Sequence, residues 1–247
     1  KKWMCAEYHI KAKFKDIEKI LGQTVTNISS RDEWDTRVKM TVAAPALKIH
    51  DGKLQLDEFV FPANPFPNAR MSQLESNKVK AEMIETDDQI VPITRVPLWK
   101  SSFLKFPCIV PMTSFLEPVY WGDHQGEVVE FTDPHSEVFF VAGIFIKPRV
   151  PSTGKLNGFA LLTHTASEQM LKYHHRMIVL LRPEDCLDYL KANLSSEQRY
   201  EFLIKKRYAP KFKVSVKRKM AKGWEKRVEK HAAALADEMK YVHRLET

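Results

Sequence analysis

The stretch "CIVPMTSFLEPVYW", residues 108–121, decides the fold class. It is crowded with β-branched and aromatic residues and reads as extended chain, with Glu117 as its one charge. Similar runs lie on both sides: "VKMTVAAPAL" (38–47) and "KLQLDEFVF" (53–61) before it, "EVVEFT" (127–132), "EVFFVAGIFI" (137–146) and "GFALLTHT" (158–165) after it. Pro, Gly, Asn and Asp bound them, as strand ends require. The centre of the chain is therefore rich in sheet.

Helical patterns interrupt the strands without a regular one-to-one alternation. "FKDIEKILG" (14–22) places Phe14, Ile17, Ile20 and Leu21 on one face and stops at Gly22. "SQLESNKVKAEMIE" (72–85), "WKSSFLK" (99–105) and "ASEQMLKYH" (166–174) are further candidates, and "PEDCLDYLKANL" (183–194) carries Pro183 in a first turn, where its missing N–H costs nothing. No Gly-rich phosphate loop follows a strand. The expected fold is α+β, with a mixed, mostly antiparallel, barrel-like sheet surrounded by helices.

The 247 residues, 44% of them hydrophobic, suffice for a sizeable core. No apolar run of about 18 residues or charged-then-apolar leader is visible, so neither a membrane span nor a secretory signal is indicated, and a cytoplasmic or nucleoid-associated monomer is expected. Three scattered cysteines, Cys5, Cys108 and Cys186, speak for reduced thiols and against a disulfide framework or a cysteine-rich zinc site. The net charge of +8 points to an anionic partner. It is concentrated between Arg199 and Lys230, where 13 Lys or Arg face three Glu. Beyond these, Trp224, Val228, Leu235, Met239 and Val242 recur at intervals of 4, 7, 4 and 3, one face of a helix. Residues 1–195 are thus read as the main domain and 196–247 as a basic, mainly helical extension packed on it.

Four short motifs complete the reading: "MCAEY" (4–8), "PNAR" (67–70), "CIVPMTSFLEP" (108–118) and "YHHRMIVLL" (173–181). In this order they resemble the SOS response-associated peptidase family, whose members begin Met-Cys and carry an Asn-Ala-Arg motif, a "CLIPADGFYEW"-like strand and an "HxRMP"-like motif. The resemblance spans roughly residues 4–190. It implies a protein that captures abasic sites in single-stranded DNA by a covalent bond to an amino-terminal cysteine, and that removes the residues preceding that cysteine. Carried over, it makes Cys5 the nucleophile, with Asn68, Glu117 and His174 at the reacting centre and Arg70 on a phosphate. Here the family's Gly-Arg after the cysteine is Ala6-Glu7, so an anion replaces a cation. The acidic residue after "NAR" is Ser72, the tryptophan after the glutamate is Pro118, and the proline after "RM" is Ile178.

The chemistry has its own logic. An abasic deoxyribose opens to an aldehyde, which an amine converts to a Schiff base with loss of water. A thiol on the neighbouring carbon then adds to the C=N bond and closes a five-membered thiazolidine. Only an amino-terminal cysteine offers both groups, so Cys5 must be the first residue and Cys108 and Cys186 cannot substitute. With an α-amine pKa near 7.8 against about 10.4 for lysine, roughly a quarter of the terminal amine is neutral at pH 7.4, against about 0.1% of a lysine. Glu117 and His174 are the expected proton carriers, with His175 adjoining the latter.

Arg95, Lys100, Lys105 and Arg176 are expected phosphate contacts, and Trp99, Phe115, Tyr120 and Trp121 candidate base-stacking rings. No metal or other cofactor is expected, since adjacent histidines on a strand would face opposite sides. Two other function classes fit the same residues. A thiol peptidase or amidase would use Cys5, His174 and Glu117 as a triad and work with Cys5 internal; a non-catalytic basic nucleic-acid-binding module would be indifferent to Cys5→Ala.

Overall fold

A computed structural model describes residues 7–39, 41–61, 93–95, 97–146 and 158–245, and every structural statement below concerns these. At its centre, β4 (Val42–His50) and β5 (Lys53–Phe61) form a hairpin. Its two-residue loop is Asp51-Gly52, with φ of 49° and 73°, the left-handed pair that a type I′ turn demands and that Asp-Gly supplies at low cost. β6 (Pro107–Met112) joins β4 at Leu47↔Ile109 and runs antiparallel to β9 (Phe139–Ile146). β10 (Gly158–Leu161) pairs with β9 and meets β5 at Gly158↔Val60, so five strands close into a barrel. β2 (Thr26–Asn27) and β13 (Leu180–Leu181) are added outside it. Aromatic rings fill the interior: Phe61 packs on Tyr8 and Phe159, and Phe59 on Phe145.

A second sheet leans on the barrel in the order β14 (Lys213–Lys219), β8 (Glu127–Thr132), β7 (Ser114–Pro118), β1 (Glu7–Lys13), β3 (Glu33–Val38). The stretch 108–121 supplies both layers. It breaks at Thr113, whose N–H and hydroxyl both donate to the His9 carbonyl, at 2.8 and 3.0 Å, so β6 stays in the barrel while β7 enters the centre of the second sheet. Ser114, Phe115, Leu116 and Glu117 are all buried, which explains a strand sequence that is apolar on both faces. β11 (Thr163–Thr165) and β12 (Arg176–Ile178) form a separate two-stranded ladder.

Helices cover the outside. α1 (Phe14–Leu21) ends at Gly22, left-handed as expected, at φ 66°. α2 (Pro97–Lys105) contains "WKSSFLK". "ASEQMLKYH" makes only the short α3 (Glu168–Leu171), started by the Ser167 hydroxyl accepting from the Met170 N–H. "SQLESNKVKAEMIE" lies outside the described residues. α4 (Pro183–Leu190) begins at Pro183, and its Tyr189 hydroxyl donates to the Gly143 carbonyl at 2.8 Å. α5 (Ser196–Lys206) is locked to it by Arg199, which is buried and donates to the carbonyls of Tyr189 and Lys191. "VKMTVAAPAL" straddles the end of β3 and the start of β4.

The carboxy-terminal segment is mainly helical, in α5 and the last helix, and adds one strand between them. Val214 and Val216 alternate with polar residues, and "KVSVKRK" is β14, the edge of the second sheet, paired along β8. Its exposed lysines are what keeps an open edge from pairing with another chain. The chain then turns back at Gly126: the Met220 N–H donates to the Gly126 carbonyl at 2.8 Å, a one-turn helix follows (Trp224–Arg227), and α6 (Val228–Leu245) begins. Gly126 has φ 88°, and a Cβ there would come within 2.8 Å of Cζ2 of Trp224. Gly126→Ala is expected to cost about 1–3 kcal/mol and to displace Trp224; a lowered melting temperature with altered tryptophan fluorescence checks it. No helix among the described residues is long and apolar enough to cross a membrane.

Candidate active site

The site starts from β7. Glu117, 2% exposed, stands opposite Val129 of β8, one residue past the Leu116↔Glu7 pair with β1. The anion at Glu7 does not stand alone. Arg37 of β3 and Arg218 of β14 both donate to its carboxylate, the latter at 2.9 and 3.3 Å. Burial works to raise the Glu7 pKa, but these two guanidinium groups outweigh it and hold the carboxyl below its ordinary value. Two cations around one anion leave this end of β1 net positive. Beside it, a groove of about 240 Å³ is lined by Leu116, Pro118, Tyr120, Arg218 and Arg227 together with Glu7.

His174 comes from a later part of the chain. It is fully buried, in the coil between α3 and β12, held by its N–H donating to the Met170 carbonyl at 2.7 Å. Its Nδ1 faces the backbone of Arg176, 3.0 Å from the carbonyl and 3.2 Å from the N–H. Because residues 174 and 175 precede the strand, the alternation of a strand does not govern them. Their rings lie 4.4 Å apart, which removes the reason for expecting them on opposite sides. His231 of α6, 2% exposed, completes the cluster at 6.3 Å from His174 and 6.2 Å from His175. Tyr120 stacks flat on His231, with centroids 3.7 Å apart and planes within 5°. The Tyr120 hydroxyl is pushed upward in pKa by burial, opposed by the neighbouring Arg227 and reinforced by the charge of Glu117. Tyr120, within the field of Glu117 and stacked on His231, thus links the carboxyl to the histidine cluster. Trp121 seals it: its indole N–H donates to the Leu171 carbonyl at 3.0 Å and its ring lies 6.5 Å from His174.

The remaining expected site residues divide sharply. Cys5, Asn68 and Arg70 lie outside the described residues, as does the side chain of Arg95. Lys100 and Lys105 are exposed on α2. Trp99 is a correction: at 1% exposure it is part of the core and presents no face to a base. Arg176 is another. It is also 1% exposed, and its guanidinium donates to the carbonyl and hydroxyl of Thr163, at 2.8 and 3.2 Å, bracing β11 against β12 instead of meeting a phosphate. Phe115 is buried against Phe131 and Tyr120 against His231, so of the four rings only Trp121 keeps partial exposure.

Arg218 and Arg227 stand out in the sequence only as members of the basic block between Arg199 and Lys230, and His231 went unnoticed. His231 had a signal: it fills the seven-residue gap between Val228 and Leu235 in the apolar stripe of the last helix. A histidine at that place is a buried one.

Cys108 and Cys186 are buried, and burial drives both thiols upward in pKa, helped at Cys186 by Asp185 and Glu184. Neither is expected to react with a thiol reagent such as DTNB at pH 8 until the chain unfolds. Counting modified thiols with and without denaturant checks this.

Against known proteins, a family model described as SOS response associated peptidase (SRAP) matches residues 4–222, which extends the likeness through β14. No curated protein matches the chain. Among solved structures, a protein from Bacteroides thetaiotaomicron is similar at 18% identity with a TM-score of 0.65, over 87% of this chain and 92% of that one. A Bordetella bronchiseptica protein gives 16% and 0.65, over 87% and 100%, and a phage-related protein from the same organism 15% and 0.59, over 87% and 95%. At these identities the likeness is one of fold.

Proposed function

The chain belongs to the SOS response associated peptidase family, and from that premise we propose that it captures abasic sites in single-stranded DNA by a thiazolidine on Cys5. The family's name ties it to the response to DNA damage. What supports the finer reading is a carboxyl, Glu117, buried on the strand that pairs with the start of β1, together with a buried His174 in the cluster that Tyr120 joins through His231. Cys5 stands two residues ahead of Glu7 in the chain. In this reading the neutral α-amine of Cys5 attacks the sugar aldehyde. Glu117 and His174 move the protons that ring opening and loss of water require, and the thiol closes the ring. Arg218 and Arg227, beside the groove, supply charge for the phosphates on either side of the missing base. Autoproteolysis uses the same thiol: it attacks the Met4 carbonyl, the Met4–Cys5 amide becomes a thioester as the α-amine is freed, and water hydrolyses the thioester to release Lys1–Met4 as a carboxylic acid; Asn68 holds the cysteine and Arg70 a phosphate of the DNA.

A single-stranded oligonucleotide with one abasic site, incubated with protein whose first residue is confirmed by intact mass as Cys5, is expected to give a band on denaturing electrophoresis that survives heat and detergent. Its absence sinks the proposal.

A further inference from the structure

We propose that His174, His175 and His231 form a binding site for a divalent transition-metal ion of the zinc class, and that a bound ion silences His174. One donor nitrogen from each ring lies within 4.8 Å of those of the other two, and all three residues are buried. Around a tetrahedral zinc ion, with Zn–N near 2.0–2.1 Å, donors sit about 3.3 Å apart, so small side-chain rotations bring the three nitrogens onto one ion. Neutral imidazoles are donors suited to zinc, nickel, cobalt or copper, and three of them leave a fourth position for water.

The surroundings fit as well. With its proton on Nδ1, His174 donates to the Arg176 carbonyl and carries its lone pair on Nε2, the arrangement in which a backbone carbonyl orients a metal-binding histidine. Stacking on Tyr120 keeps the His231 ring parallel to the tyrosine plane while leaving it free to turn within its own. Its helix is anchored by the Met220 bond to Gly126 and by Trp224 lying over that glycine. The third ligand therefore comes from residues beyond 222, outside the part of the chain that the family model matches.

The silencing rests on the reading of His174 as a proton carrier. An Nε2 lone pair given to a metal cannot take up a proton, so the loaded protein forms its adduct slowly and removal of the ion restores the rate. No bond is made or broken in the step besides coordination and the release of any proton on Nε2.

The test is calorimetric titration of the chelator-treated full chain with zinc chloride, repeated with cobalt(II) to read the visible absorption of a tetrahedral site. One ion per chain is expected. His231→Gln and His175→Gln should each weaken binding by at least about 100-fold, the upper end of the cost of removing a supporting group, while the exposed His135→Gln leaves it unchanged. Circular dichroism and melting confirm that the variants are folded, and two ligands on separate elements guard against loss of one to misfolding. No binding, or binding retained in both variants, overturns the site. Zinc bound at unity with adduct formation unslowed overturns the silencing. If the chain makes no adduct at all, calorimetry still reads the ion, so failure of the DNA reading is told apart from failure of the site.

Discussion

Cys5→Ser, in a chain beginning at residue 5, is expected to lose the heat-resistant DNA adduct to background while keeping one that borohydride can trap. The serine variant retains the α-amine, so the Schiff base still forms. Its hydroxyl, far less nucleophilic than a thiolate, does not close the ring, and the imine hydrolyses on denaturation. Reduction before denaturation converts the imine to a stable amine and recovers the band. The parent protein needs no reductant. With Lys1 to Met4 attached, the nitrogen of Cys5 is an amide, and neither treatment gives a product. The measurement is the same gel with and without borohydride. A serine variant whose adduct survives heat unreduced would falsify the thiazolidine.

The second large effect is at Glu117. Glu117→Gln keeps the shape of the side chain and removes its capacity to exchange a proton, so single-turnover adduct formation should slow by about 10²–10⁴-fold. His174→Gln belongs in the same range. Melting temperatures serve as the control, because both positions are buried and a loose fold would imitate a catalytic loss. A folded Glu117→Gln with a rate within threefold of the parent removes this carboxyl from the mechanism.

Much of this was legible from local pattern. "KLQLDEFVF" and "EVVEFT" are β5 and β8 residue for residue, since each lies between turn residues and carries its own strand preference. Pro183 and Gly22 punctuate α4 and α1 as their backbone preferences require. What local pattern could not supply was partnership across the chain. A buried Arg176 and a phosphate-binding arginine look the same until Thr163 is beside it. Val214 and Val216 in a run of lysines carry a strand signal that the charge hides, and the strand is stable because β8 offers an edge. His174 and His175 were read as strand neighbours, yet the strand begins at Arg176, and one residue of register decides whether two rings oppose or converge. Glu7 looked like a misplaced anion until Arg37 and Arg218 appeared on either side of it.

That double anchoring of Glu7 has a kinetic consequence. A side chain gripped from both flanks of the sheet makes the first residue of β1 a fixed pivot, and two residues of extended chain reach at most about 7 Å from it. A group confined to a sphere of that radius is present at an effective concentration on the order of 1 M, before any pocket orients it further. For a sugar held at the groove as proposed, the tether alone would make its encounter with Cys5 unimolecular.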